Sequence, residues 1–369
     1  MKPTSVAGHG RLLAATCAAL FFFSASSLAH DGIDHSKPAP IRADSHAPIG
    51  VMGDHMHKAG EVMFSYRYKR MDMSGVRDGM DDLSNAQVLA TPNRFFGAPM
   101  QPPGLRIIPT EMTMDMHMIG AMYAPNDNLT LMVMGMYMKK EMDHIVFNPP
   151  GNAQIGGFTT KVEGLADTKV SGLVRLMDEG PTQVHLNIGV SLPTGSITEE
   201  GAILTPMGMR PRVRLPYPMQ LGSGTVDVLP GITYTDRSGD ISWGAQAMAT
   251  LRSGRNSENY QLGNAGELTT WAAYQFAPWV STSLRLKGET IGKISGQDAR
   301  IAGPVQTADP SNIGGRFIEA GLGVNLVGQE GYIRGHRLAI EANVPVMQDL
   351  NGPQMKRDWS LMAGWQYAF

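Results

Sequence analysis

Methionine and histidine are the residue types in this sequence whose spacing could do chemistry. The 369 residues include 26 methionines and 10 histidines. Thioethers are soft ligands that favour Cu(I) or Ag(I), and imidazoles also bind copper. Methionine recurs along residues 112–122 and 132–138, and histidine flanks Met56. A metal site with Cu(I) as its candidate ion would use His55, His57, Met114, Met116, His117, Met118, Met132, Met134, Met136 and Met138.

A second interpretation of the methionines needs no metal. Methionine is a flexible side chain that fills irregular apolar surface. Its spacing here is also a weaker metal signal than a paired Cys-x-x-Cys motif. Both interpretations stay open at this point, and the direction in which the methionines face bears on the choice.

The elements that would position these side chains are best seen at the end of the chain. In residues 359–369, Trp359, Trp365, Tyr367 and Phe369 fall on one face of a strand, because successive strand side chains point to opposite sides. Such a stripe is typical of the closing strand of an outer-membrane β-barrel. The terminal aromatic residue resembles the signal that such barrels present to the barrel-assembly machinery. The alternative is an edge strand of a soluble sandwich.

The same period of two recurs along the chain and predicts about twelve strands. Each is roughly nine to eleven residues long, which is enough for a tilted strand to cross a bilayer. Short and long connections alternate between them, as in bacterial barrels. The predicted fold is therefore all-β, a transmembrane antiparallel up-and-down β-barrel with both termini on one side. The predicted strands are 61–70, 112–123, 129–140, 169–176, 183–191, 225–234, 241–252, 267–276, 280–289, 317–326, 337–346 and 359–369.

Residues 1–29 have the pattern of a secretory signal, with Lys2 and Arg11, an apolar run, and Ser27-Leu28-Ala29 before the cleavage point. The only cysteine, Cys17, lies inside it, so the mature chain would have no thiol. We expect residues 30–59 to be a His-rich irregular segment, hanging free in the periplasm rather than plugging the lumen. Residues 60–369 would form the barrel in the outer membrane of a Gram-negative bacterium, in contact with outer-membrane lipid.

The faces opposite the apolar stripes should line the lumen, where charges of both signs alternate. For these residues a structural role as polar filling competes with a role in selectivity. Residues 129–140 place their methionines inward, since Leu131, Val133 and Tyr137 occupy the other face. In residues 112–123 the other face includes Asp115 and His117. This argues for the opposite direction there unless these polar residues lie at or above the membrane rim, so the pattern of that strand is divided. The predicted lumen-lining residues are Arg67, Lys69, Arg175, His185, Asp227, Glu267, Arg285, Lys287, Glu289, Glu319, Arg337 and Glu341.

As a whole, the signal peptide, the strands, the aromatic terminus and the segment Gly53-Asp-His-Met-His57 resemble the outer-membrane barrels associated with the meta-pathway of phenol degradation. The resemblance covers residues 55–369 approximately and implies passive passage of a small-molecule solute, without indicating which one.

Three other functions compete with a channel. One is a copper- or silver-binding outer-membrane protein that uses Met and His. Another is an outer-membrane lipid hydrolase, which would need a histidine on the lipid face with a serine beside it. The third is a structural or adhesion barrel whose outer loops bind a partner. The formal net charge of −2 gives no indication of a nucleic-acid partner.

Overall fold

The computed structural model describes residues 41–369, so the predicted signal peptide and the first part of the segment 30–59 lie outside the described residues. Within residues 41–369 there is one α-helix, α1 (Asn85–Ala90), and no helix that is long and apolar enough to cross a membrane. The strands are β1 (Val62–Gly79), β2 (Asp81–Leu83), β3 (Ile107–Asn126), β4 (Leu129–Phe147), β5 (Gln154–Leu165), β6 (Thr168–Glu179), β7 (Thr182–Leu192), β8 (Glu200–Ala202), β9 (Arg212–Arg214), β10 (Asp227–Ser238), β11 (Ile241–Arg252), β12 (Tyr260–Gln261), β13 (Ala265–Ala277), β14 (Val280–Ile291), β15 (Ser295–Gly296), β16 (Gly315–Val327) and β17 (Arg337–Ala368). Short 3-10 helices occur at Tyr217–Met219, Gln306–Ala308, Pro310–Asn312 and Gly331–Ile333.

The main sheet is a closed antiparallel barrel in the order β1, β3, β4, β6, β7, β10, β11, β13, β14, β16, β17, with β17 pairing back onto β1. β17 folds back on itself near Gly352, which has a φ of +98°. Its first half pairs with β16 and its second half with β1. Counted as two segments, β17 brings the wall to twelve crossings, so the predicted transmembrane up-and-down barrel is confirmed.

The side chains of the wall alternate between lipid and lumen as the sequence predicts. In β1, Phe64 is 47% exposed and Tyr66 40%, whereas the alternate residues Ser65 and Arg67 are buried. The last strand shows the same alternation, with Trp359 exposed and Ser360 buried. A closed sheet leaves no strand edge unpaired in lipid. The apolar belt on its outside is the surface that contacts the lipid.

Connections at the two ends of the barrel differ in length, as predicted. One end has tight turns at residues 127–128, 180–181, 239–240 and 278–279, together with the carboxy terminus. The other end has the longer connections 80–106, 193–226, 253–264 and 292–314. We call these the short-turn end and the long-loop end.

Two predicted loops are wrong, and one of them, residues 347–358, lies inside β17. Residues 141–168 are mostly strand, because β4 runs on to Phe147 and β5 pairs with its outer half. Cross-strand ion pairs hold this hairpin on its exposed face, Lys139 with Glu163 at 3.2 Å and Lys161 with Glu141 at 2.8 Å. Charges of this kind on the outer face mark a part of the sheet that extends beyond the apolar belt.

Candidate functional site

The short-turn end of the lumen is filled by residues 41–59, which we call the plug. Ile49 at its tip is 1% exposed. The Gly50 amide donates to Glu341 Oε2 at 3.0 Å, and the Arg337 guanidinium donates to the Ala47 carbonyl at 2.6 Å. The expectation of a free tail is therefore wrong for residues 41–59. The segment forms no strand, and single hydrogen bonds from the wall satisfy several of its backbone polar groups. Its sequence therefore has no strand periodicity.

Contacts with the turns show which end the plug closes. Gln329 donates to the Ile41 carbonyl at 2.7 Å, and Arg42 donates to the Gly239 carbonyl at 2.9 Å. The Ala59 amide donates to Asp127 Oδ1 at 2.8 Å. Gln329, Gly239 and Asp127 all belong to connections of the short-turn end. The plug enters at that end, turns at residues 48–53, and returns to it before β1.

Methionines cover one side of the lumen, and we call this surface the methionine wall. Both predicted ladders face inward. On β3, Asp115 and His117 face outward. Asp115 accepts a hydrogen bond from the Tyr68 hydroxyl, and His117 shares one with the Tyr66 hydroxyl, so both polar groups are paired on the outer surface. The expectation that the β3 methionines face lipid is wrong for that reason. The methionine wall consists of Met112, Met114, Met116, Met118 and Met122 on β3 and Met132, Met134, Met136, Met138 and Met142 on β4.

The opposite side of the lumen is charged, and several of its charges are paired with one another. Arg285 Nε lies 2.8 Å from Glu341 Oε1. Glu319 accepts from Lys287 at 3.0 Å and from Arg357 at 2.7 Å. Arg357 also reaches Glu289 at 2.7 Å. Sequence reasoning missed Arg357 because it lies in a stretch taken for a loop, and an arginine in a predicted loop carries no signal of its partners.

The other predicted lumen residues also lie on inward-facing strand positions. Arg67 is buried, and His185 Nε2 lies 2.9 Å from the Gly53 carbonyl of the plug. Asp227 is fully buried against Arg252. Arg175 lies at the short-turn end, where its Nε donates to the Asp127 carbonyl at 2.7 Å. Lys69 and Glu267 line the cavity described next.

A cavity of about 370 Å³ lies between the methionine wall and the charged wall. Gly50 and Met52 of the plug contribute to its lining. Met116, Met118, Met132, Met134 and Met136 line its apolar side. The cavity is therefore a chamber with one thioether side and one ionic side, adjoining the tip of the plug.

The connection 193–226 folds inward at the long-loop end. Its residues Leu215, Met219 and Leu221 pack against Met112, Met138 and Met142. Lys140 fixes this connection, since its Nζ donates to the carbonyls of Pro218 at 2.8 Å and Gln220 at 2.6 Å.

An apolar pocket of about 170 Å³ lies among the outer loops next to this contact. Ile203 and Leu215 belong both to this pocket and to the cluster packed on the methionine wall. His144 and Phe158, whose rings stack with centroids 4.4 Å apart, also line it. The apolar surface thus continues from the outer loops to the chamber.

The predicted metal ligands are not brought together in one place. The lumenal methionines face the chamber, and His117 faces outward. His55 and His57 lie instead in a second cavity, of about 350 Å³, among the short turns. There the His46 and His55 Nδ1 atoms are 3.2 Å apart, and His55 Nδ1 is 3.0 Å from Asp54 Oδ1. His46 and Asp54 were not among the predicted ligands.

The protonation of this cluster follows from its burial. Burial lowers the pKa of His46 well below its usual value. Burial also lowers the pKa of His57 to about 4. Both imidazoles are thus neutral at neutral pH, which is the form in which histidine binds metal ions.

Comparison with known proteins places the fold. No protein-family model and no curated protein matches the sequence. An outer-membrane channel from Pseudomonas putida F1 is similar in structure, with a TM-score of 0.54 at 12% identity over 86% of this chain and 98% of that one. A FadL homologue from Pseudomonas aeruginosa matches with a TM-score of 0.42 at 11% identity, over 84% of this chain and 90% of its own. The P. putida toluene transporter TodX matches with a TM-score of 0.42 at 8% identity, over 85% and 90%. The likeness to the first of these shows that the chain has the fold of an outer-membrane β-barrel.

Proposed function

We propose that the protein is an outer-membrane channel for the passive passage of small apolar solutes, aromatic compounds included. The observation that carries the proposal is the apolar surface that runs from the outer pocket, through Ile203 and Leu215, onto the methionine wall and into the chamber. The exposed apolar belt and the aromatic last strand support residence in the outer membrane. Export by residues 1–29 and insertion by the barrel-assembly machinery belong to the same proposal.

The chemistry of the lumen favours an uncharged solute. Three carboxylates of the charged wall are neutralised internally, since Glu289, Glu319 and Glu341 each accept from an arginine. Methionine sulfur makes favourable contacts with aromatic rings. The outer pocket, at about 170 Å³, is close to the roughly 150 Å³ of an apolar cavity that holds a benzene molecule. A single ring is therefore the size of solute that the pocket suits.

We expect the substitution Ile203→Asp to abolish most of the uptake of such a solute, because a carboxylate would interrupt the apolar surface where the outer pocket meets the methionine wall. Uptake of a radiolabelled monoaromatic hydrocarbon is measured in Gram-negative cells that produce the full chain, since lipopolysaccharide slows the entry of apolar molecules without a channel. Ile203→Leu, which keeps the surface apolar, is the matched control and should retain uptake. Equal uptake by cells with and without the protein would refute the proposal.

The methionine wall favours a second candidate function, the passage or binding of Cu(I) or Ag(I). Five thioethers of the methionine wall face one chamber, and thioethers are ligands that these soft ions prefer. Competition with a chromophoric Cu(I) chelator should show uptake by the refolded protein that is lost in Met134→Leu/Met136→Leu. Uptake equal to that of the double variant would remove this candidate.

Lipid hydrolysis has no comparable support. Among residues 41–369, the outward-facing His117 hydrogen-bonds Tyr66 rather than a serine. His185 faces the lumen and bonds the backbone of the plug. The proposed function is therefore transport and not catalysis.

A further inference from the structure

The plug carries a compact group of nitrogen and oxygen ligands that the channel function does not use. His46, Asp54 and His55 each offer one ligand atom, and these atoms all lie within 4.8 Å of one another. The Nδ1 atoms of His46 and His55 are 3.2 Å apart, Asp54 Oδ1 lies 3.0 Å from His55 Nδ1, and the other oxygen of Asp54, Oδ2, lies 4.0 Å from His46 Nδ1. Around a tetrahedral ion with bonds of about 2.0–2.2 Å, ligand atoms are roughly 3.3–3.5 Å apart. The three atoms are already close to that spacing.

Hydrogen bonding alone does not satisfy this group. His55 Nδ1 faces both Asp54 Oδ1 and His46 Nδ1, yet a ring nitrogen has either one proton or one lone pair to offer. The Nε2 atoms of His55 and His57 are buried and have no hydrogen-bond partner. The His57 side chain is only 5% exposed, and its ring centroid lies 4.9 Å from that of His55. Buried polar groups without partners are rare, and the conflict at His55 Nδ1 is the one that an ion held by the Nδ1 atoms would remove.

The surroundings provide an entry route for an ion. The cavity of about 350 Å³ around the group is also lined by the short-turn residues Gly180 and Pro181. Its carboxylates are Asp44, Asp54, Glu61 and Asp236. Arginines balance them in part, since Arg42 pairs with Asp44 at 2.8 Å, Arg237 lines the cavity and Arg337 lies on the Ala47 carbonyl. The preference for a cation therefore rests on the ligand types, because imidazole and carboxylate groups bind cations.

The geometry points to a binding site for one divalent transition-metal ion, Zn²⁺ or Cu²⁺, held by His46, Asp54 and His55 in the plug. Imidazole and carboxylate suit these ions, whereas Cu(I) prefers the thioethers of the methionine wall. His46 and His55 lie on the two limbs of the plug, which the Ala47 amide already joins by donating to Asp54 Oδ2 at 2.8 Å. A bound ion therefore ties the limbs together below the turn that carries Gly50 and Met52. Binding stabilises the closed plug, because an ion that binds only the folded limbs favours them.

The test is metal titration of the full mature chain in detergent, with any affinity tag removed and the protein treated with EDTA beforehand. Zn²⁺ and Cu²⁺ are titrated separately by calorimetry. We expect the wild type to bind one equivalent more than His46→Ala/His55→Ala, or to bind that equivalent at least about 100-fold more tightly. A loss of about 100-fold is the upper end of what removal of an outer partner of a metal ligand causes. Counting the difference between variants excludes ions bound by histidines elsewhere in the chain.

Two controls keep the result interpretable. His336→Ala removes a histidine that pairs with Trp365 on the outer wall, and it should leave the stoichiometry unchanged. The electrophoretic shift on heating, which reports a folded barrel, should be the same in every variant. Equal binding of both ions by the wild type and the double histidine variant would overturn the proposal. So would an ion bound only as Cu(I) and lost in Met134→Leu/Met136→Leu, which would place the site in the methionine wall.

Discussion

Deleting residues 41–56 is expected to turn a closed barrel into a conducting one. The plug fills the short-turn end of the lumen, and it forms hydrogen bonds with polar groups of the wall, such as Glu341 and Arg337. Water can hydrate these groups once the plug is gone, while the wall is closed without it by the pairing of β1 with β17. Planar-bilayer recording should show discrete current steps for the deletion variant and a quiet baseline for the intact mature chain.

Ile49→Ala is the matched control for the deletion. It trims a side chain that is 1% exposed at the plug tip but leaves the backbone anchors of the plug in place. We expect this variant to stay closed. A silent deletion variant would show that the plug is not the barrier to ions, and the inward connection at Leu215 and Met219 would then be the closure.

The barrel itself could be predicted because its signal is periodic and repeated. Each strand places one face in lipid and one in the lumen, so alternation extends over about ten residues and recurs twelve times. Residues 241–252 were predicted with the bounds that the structure has. The last strand was identified on Trp359, Trp365 and Phe369, whose face is the lipid face in the barrel.

The two methionine ladders show where the same reasoning fails. Period-two patterns give two faces but not which face is inside. Because Asp115 and His117 are polar, their face of β3 was expected to point into the lumen. It points outward instead, where Tyr66, Tyr68 and Arg70 of the neighbouring strand pair with them. These partners lie more than 40 residues away in sequence, so the pattern of β3 alone could not reveal them.

The plug could not be predicted for a different physical reason. Residues 41–59 form no strand, so nothing periodic marks them as buried. Their burial depends on single hydrogen bonds to the wall, for example from the His57 amide to Thr130 Oγ1 at 3.0 Å. The grouping of His46 with Asp54 and His55 depends on the turn at residues 48–53 that brings the two limbs together. The sequence did indicate that this segment is rich in metal-binding side chains, and the structure adds how they are grouped.

Glu341→Ala is expected to destabilise the barrel by about 3–5 kcal/mol, the usual cost of removing one partner of a buried ion pair. Glu341 is 1% exposed and joins two elements. It accepts from Arg285 Nε at 2.8 Å and from the Gly50 amide of the plug at 3.0 Å. Its loss leaves the buried Arg285 guanidinium without its carboxylate and frees the plug tip. Equilibrium unfolding in urea, followed by tryptophan fluorescence in detergent, measures the free energy of unfolding.

Two further substitutions separate the causes. Glu341→Gln keeps an oxygen acceptor for the Gly50 amide but loses the charge, so its cost isolates the ion pair with Arg285. Glu163→Ala removes a carboxylate whose side chain is 57% exposed and pairs with Lys139 at 3.2 Å. That change should cost less than about 1 kcal/mol, because water screens a surface pair. If Glu341→Ala cost as little as Glu163→Ala, the lumen would be wet enough to hydrate Arg285. The charged wall would then be a water-lined surface open to polar solutes, and the preference for uncharged solutes would lose its basis.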